Sequence, residues 1–250
     1  MSDFNGRYPG AIPAPADMAV DQGLRSFMLG VYSKLFFGLV IATVLAFVTS
    51  SVAPVRDMLF QITPDGRFGG YTMLGFGVVF APLVLILGSS FFMRSATSSS
   101  VSLIYWLVVA TMGASLGVVL LIYTGASAAM TLGVTAIAFG GLSLVGYTTK
   151  KNLSGMGSFL IMALIGLIVA SLVNMFLRSP MMHLVISAAG VLIFAGLIAY
   201  DTQRLKMTYY AIGGDKEALG VATSYGALSL FINFVNLFQF LLMFMGGNRE

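Results

Sequence analysis

The sequence has no cysteine, one histidine and one tryptophan, and only nine of its 250 residues are acidic. Without cysteine there is no disulfide, no thiolate nucleophile and no Cys-ligated metal or cluster. His183 alone cannot form a His-rich metal site. Charged residues make up 9% of the chain, against about a quarter in a soluble domain. That is too little polar surface to cover a water-soluble globule. No P-loop, dinucleotide fingerprint or metalloprotease motif occurs. No basic-aromatic patch suits nucleic acid either, so the net charge of +4 and the isoelectric point near 9.4 need another explanation.

What the chain has instead is apolar length. It is 58% hydrophobic, with a mean hydropathy of +0.95. A helix needs roughly 20 mainly apolar residues to cross a bilayer. Stretches of that kind fall at about 27–52, 71–93, 101–122, 126–147, 156–177, 181–203 and 219–245. Polar and helix-breaking residues separate them: Pro54 and Pro64 to Gly66, then Arg94 and three serines, then Thr124 and Gly125. Further breaks are Lys150 to Asn152, Arg178 to Pro180, and Gly213 to Glu217. The pattern predicts an all-α integral membrane protein with seven spans over residues 23–250. Residues 1–22 carry prolines, glycines and acids without the layout of a secretory signal, and are expected to form a flexible cytoplasmic tail.

Basic residues set the orientation. Arg7, Arg25, Arg94, Lys150, Lys151, Arg204, Lys206 and Lys216 fall on one side; Arg56, Arg67, Arg178 and Arg249 fall on the other. The excess places the N-terminus in the cytoplasm. Lys34 lies inside the first span and is expected to extend its ammonium to the interface. Within the spans, Gly113 with Gly117, and Gly166 with Ala170, have the small-xxx-small spacing that lets helices approach closely in lipid.

Of the acids, only Asp201 falls inside a span. An ionisable residue in hydrocarbon costs at least ~2.5–3.5 kcal/mol near the centre and is by default a functional candidate. Asp201 also lies near the end of its span, where a pair with Arg204 at i+3 would make it an ordinary interfacial charge. Asn233, in the last span, and Arg94, ending the second, are the polar groups that can approach it. An amide in a span also serves as glue between helices. Residues 113–117 match G-x-S-x-G, and Ser115 with His183 would be needed for an intramembrane hydrolase. The motif belongs on a strand-turn-helix, whereas here it sits in a continuous apolar run.

Three segments together resemble the Bax inhibitor family of transmembrane proteins. They are SLVGYTTKKNLS at 143–154, IAYDTQ at 198–203 and ALSLFINFVNLF at 227–238. GLRSF at 23–27 and YTGAS at 123–127 fit in the same order. The resemblance runs from about Gly23 to Met245. It implies a seven-helix bundle, with two layers of three helices around a central seventh. For bacterial members it implies a pH-sensitive leak of calcium, and for eukaryotic ones calcium leak and suppression of cell death. The family's site is a pair of aspartates on the sixth and seventh helices, with an arginine latch at the end of the second. Asp201 matches the first aspartate and Arg94 the arginine. The second aspartate is replaced here by Asn233.

That departure removes one formal charge. Two close carboxylates share protons, which an Asp–Asn pair does not. The amide still offers an oxygen, which hard cations accept, so Asp201 with Asn233 would make a weak calcium site. The resemblance implies no tightly bound cofactor and no enzyme activity. It implies the lipid bilayer, calcium and protons as partners, and a bacterial inner membrane as the location. A non-transporting regulator of a protease or other membrane complex is the alternative. The charge asymmetry predicts that reporters fused to the N- and C-termini report opposite sides of the membrane, the N-terminus inside. Both on the same side would exclude seven spans.

Overall fold

A computed structural model describes residues 22–92 and 97–246. Helix α1 spans Gln22–Ser51 and opens at the last residue of the expected tail; the rest of that tail lies outside the described residues. After it come α2, Ala53–Leu59, with Pro54 in its first turn, and a two-stranded hairpin, β1 Phe60–Ile62 and β2 Phe68–Tyr71. Helix α3 spans Met73–Phe92, α4 Ser98–Ser115, α5 Gly117–Ile122 and α6 Gly125–Thr148. Three long helices finish the chain: α7 Ser154–Leu177, α8 Pro180–Ile212 and α9 Lys216–Met245.

The chain is a multi-pass membrane protein. Among the described residues, six helices are long and apolar enough to cross a bilayer: α1, α4 continued by α5, α6, α7, α8 and α9. In α3 the apolar stretch is shorter, Met73–Ser89, and contains Pro82. A bilayer supplies no water to satisfy backbone groups, so helices that bond internally are the stable solution. Large side chains such as Phe36, Phe47, Phe159, Ile161 and Phe176 point outward, as lipid permits.

The expected breaks are built as helix caps. Thr124 accepts from the Ser127 N–H, Ser179 from that of Met182, and Asp215 from those of Glu217 and Ala218. Gly213 closes α8 in the left-handed region at φ 67°. The first loop holds a short element that the sequence pattern did not predict. Phe60 pairs with Tyr71 and Gln61 with Gly70 in an antiparallel hairpin, covered by ring contacts among Phe60, Phe68, Tyr71 and Phe76. Strands of three and four residues are too short to show a periodicity. Helix α8 also continues nine residues past Gln203, the expected end of its span, to Ile212. Asp201 is therefore followed by about 16 Å more of helix, at 1.5 Å per residue.

Helix α9 packs against α1, α4, α6 and α8; α3 joins α4, and α7 joins α8. In the most apolar stretch of each helix, 44% is buried in α9 but 11% in α7, so α9 lies within the bundle and α7 at its lipid face. Small residues decide the close contacts. A Cβ on Gly113 would meet the Ala42 backbone, with Cα at 2.6 Å, and one on Gly117 would strike the Thr49 hydroxyl. Gly146 fits in the same way against the Ala199 backbone, and Gly157 lies under the Tyr200 ring. Gly166 faces open space, so its spacing with Ala170 does not create a close approach within the chain.

These contacts predict that Gly113→Leu destabilises the protein by about 1–3 kcal/mol or more through overpacking, while Gly166→Leu leaves thermal unfolding in detergent nearly unchanged. Equal behaviour of the two variants would contradict the packing of α1 on α4.

Candidate functional site

The site forms where α8 and α9 meet. Asp201 is 5% exposed and Asn233 6%. A buried carboxylate is tolerable only when its lone pairs are occupied. Both oxygens of Asp201 are engaged. Oδ2 accepts from Asn233 Nδ2 at 2.7 Å and from the Ser229 hydroxyl, both on α9. Oδ1 takes the Arg204 guanidinium at 2.9 Å, one helical turn along α8. Arg204 Nη2 also donates to Ser229 Oγ at 3.4 Å, and the guanidinium carbon lies over the Tyr200 ring. The acid is thus inside the bundle, not at its surface, and still paired with Arg204. Ser229 and Asn233 stand four apart, on one face of α9, which is why both reach a single carboxylate.

Arg204 connects this buried group to the outside. Its side chain is 49% exposed and lines a cleft of about 560 Å³ between the adjoining ends of α8 and α9, with Asp215, Glu217 and Tyr225. Arg94 lies outside the described residues, so the cation that the structure sets on Asp201 is Arg204.

As placed, the Asn233 amide presents its N–H₂ to the carboxylate, and its carbonyl oxygen points elsewhere. Among the described residues no group of three or more His, Asp or Glu side chains assembles. A hard cation at Asp201 would have to displace Arg204 and find further oxygens from Ser229, a turned Asn233 amide or water.

Beside the acid, α8 also anchors the chain between α6 and α7. Gln203 accepts from the Leu153 N–H and donates to the Lys151 carbonyl, both at 2.8 Å. Lys206, 6% exposed, donates to the Tyr147 carbonyl at 2.8 Å. That carbonyl belongs to the last turn of α6, where a cation satisfies unpaired C=O groups and the helix dipole. Residues 143–154 and 198–203, read separately in the sequence, are two sides of one joint.

Lys34 does not extend to the interface as expected. It turns inward, donating to Ser102 Oγ on α4 and Ser224 Oγ on α9, each at 2.7 Å. The buried Tyr105 hydroxyl donates to the Lys34 carbonyl. Serine and glutamine carry no signal of their own in an apolar sequence, so these partners were not identifiable before the helices were placed. Ser115 donates to Met112 O in its own helix, while His183 lines a separate cleft between α7 and α8 with Asn174 and Arg178. The two are not brought together.

A family model described as "Inhibitor of apoptosis-promoting Bax1" matches residues 24–250. The chain belongs to the Bax inhibitor family. A Caulobacter vibrioides protein is 61% identical over 251 residues, covering 100% of both chains. The Rickettsia prowazekii protein RP147 is 39% identical, covering 92% of this chain and 93% of its own. The Escherichia coli K12 inner membrane protein YbhL is 36% identical, covering 91% and 94%. Within this Bax inhibitor chain, the α6–α7 joint leads to a direct expectation. Gln203→Leu removes the partner of the part-buried Leu153 N–H and Lys151 carbonyl, at about 0.5–1.5 kcal/mol for each bond lost. Trypsin should then cut after Lys150 or Lys151 several-fold faster than in the parent protein. An unchanged rate would mean that Gln203 does not hold the joint.

Proposed function

We propose that this protein is a passive, pH-sensitive cation leak of the bacterial inner membrane, with calcium as its cation. The supporting observation is the place of Asp201. A carboxylate buried between the two most buried helices is linked through a half-exposed arginine to an open cleft. A cation entering that cleft meets Asp215 and Glu217, then Arg204, then Asp201. Arg204 acts as the latch: while it holds Oδ1 the carboxylate is closed to ions, and when it swings into the cleft the carboxylate is free. Arg94 is the family's position for such a group and acts on the same carboxylate in this reading. The reading takes α3 as the seventh span. It places α1, α3 and α4 in one layer and α6, α7 and α8 in another around α9, with the N-terminus in the cytoplasm.

Asn233 favours a second reading for one specific reason. With an amide opposite Asp201, the site lacks the two-carboxylate pair that shares protons in the family. A non-transporting regulator of a protease or other membrane complex keeps the same fold and needs no ion at Asp201.

Calcium flux into proteoliposomes, measured against pH, separates the two. The leak predicts that Asp201→Asn changes flux at least about tenfold, the size of effect expected when one charged ligand of the pathway is lost. It predicts that Arg204→Gln raises flux by freeing the carboxylate. Asn233→Asp adds a second acid to the first, so the pair titrates as a coupled unit and flux becomes steeper with pH near neutrality. Flux equal to empty liposomes in the folded parent protein, or flux indifferent to Asp201→Asn, would leave the regulator reading.

A further inference from the structure

Helices α1 and α6 both pack on α9, and a groove of about 660 Å³ runs between them. Its composition changes along its length. At one end stand Arg25, in the first turn of α1, and Tyr147, in the last turn of α6. Deeper along α1 come Met28, Leu29 and Tyr32, facing Leu144, Gly140 and Phe139 of α6. Seven residues separate Arg25 from Tyr32, and seven separate Tyr147 from Gly140, so the apolar part is about 10 Å long on both walls. Phe139 rests edge-on against Phe234 of α9 and forms the floor.

Two features of this groove have no counterpart among the described residues. Arg25 is exposed, and the ion pairs among the described residues are Arg56–Asp57 and Arg204–Asp201, neither involving it. Lys150 and Lys151, just beyond Tyr147, add positive charge at the same end. The second feature is Ser143. Its side chain lines the groove at 6% exposure, and among the described residues its hydroxyl has no hydrogen-bond partner. Other helix hydroxyls, such as Thr111, Thr135, Ser171 and Thr202, donate to the carbonyl four residues back. Ser143 does not, and it sits four residues, or about 6 Å, below Tyr147.

We propose that this groove holds one anionic phospholipid from the leaflet at the Arg25 end. Its phosphate pairs with Arg25, an ester carbonyl takes the Ser143 hydroxyl after rotation about χ1, and one acyl chain lies between Leu29 and Gly140. Charge complementarity selects the head group, because a guanidinium matches a phosphate in geometry as well as sign. The spacing of phosphate, ester and acyl chain in a glycerophospholipid follows the order of cation, hydroxyl and apolar wall. Gly140 is the residue that keeps the groove open: a Cβ there would meet nothing within 4 Å. The site is independent of the leak reading, since it involves neither Asp201 nor Asn233.

The test uses the full chain in nanodiscs of equal phosphatidylglycerol and phosphatidylcholine. Lipid retained after transfer to detergent is counted by native mass spectrometry. The parent protein should retain one phosphatidylglycerol in preference to phosphatidylcholine. Arg25→Gln should reduce that preference about fivefold, the effect of one basic residue at an anionic surface. Ser143→Ala should lower retention of both lipids alike, since both carry the ester. Gly140→Leu should abolish retention while leaving the melting temperature in lipid-free detergent unchanged, because the new side chain fills open space. If Gly140→Leu proves unstable, the exposed Arg25→Gln decides alone. Equal retention of both lipids by the parent protein overturns the proposal, as does a full lipid count in Gly140→Leu. Loss of self-association in Gly140→Leu with an unchanged lipid count would assign the groove to a second copy of the chain, and also overturns it.

Discussion

A carboxylate buried in an apolar bundle has to be hydrogen-bonded on every side, and that requirement fixes how α8 and α9 meet. Asp201 takes two donors from α9 and one from its own helix. Sliding α9 by one residue would rotate Ser229 and Asn233 by about 100° and leave the acid unpaired. The seam therefore has one register. Since α9 also packs against α1, α4 and α6, fixing it on α8 places the inner face against which those helices pack.

Packing alone would not give that register. In lipid the contact of one apolar side chain with another is little better than its contact with an acyl chain, so close approach and polar bonds decide which helices adjoin. Both occur on α8. Gly146 and Gly157 bring α6 and α7 against Ala199 and Tyr200. In the next turns, Gln203 bonds the chain that joins α6 to α7 and Lys206 the last turn of α6. One stretch of α8 thus holds an acid for α9, an amide for the α6–α7 joint and an ammonium for the end of α6. On the other side of the bundle, Lys34 links α1 to α4 and α9 through two serines. Lys34 sits at a junction of three helices, where one ammonium satisfies two hydroxyls.

The amide of Asn233 sets the character of the central site. An amide donates to the carboxylate that a second carboxylate would repel. The Asp201–Asn233 contact is accordingly stable as it stands, with no shared proton needed to hold it. Arg204 then provides the only cation bonded to the acid among the described residues, and its side chain is half-exposed in the cleft.

The sequence by itself determined that this chain lives in a membrane, roughly where its apolar spans lie and what breaks them, and that Asp201 is the one acid within a span. Apolar length, cap residues and charge scarcity are local properties, and each span reads them out without help from its neighbours. The family motifs at 143–154, 198–203 and 227–238 were legible too, as was the position of Asn233. What the sequence left open was which side chains share a site. Ser229, Ser224 and Gln203 look like any other small or amide residue in an apolar run, and only packing turns them toward a charge. The direction of Lys34, the length of α8 beyond Gln203 and the short hairpin after α2 were likewise decided in three dimensions. Each depends on contacts between segments distant in the chain, and a periodicity carries no information about those.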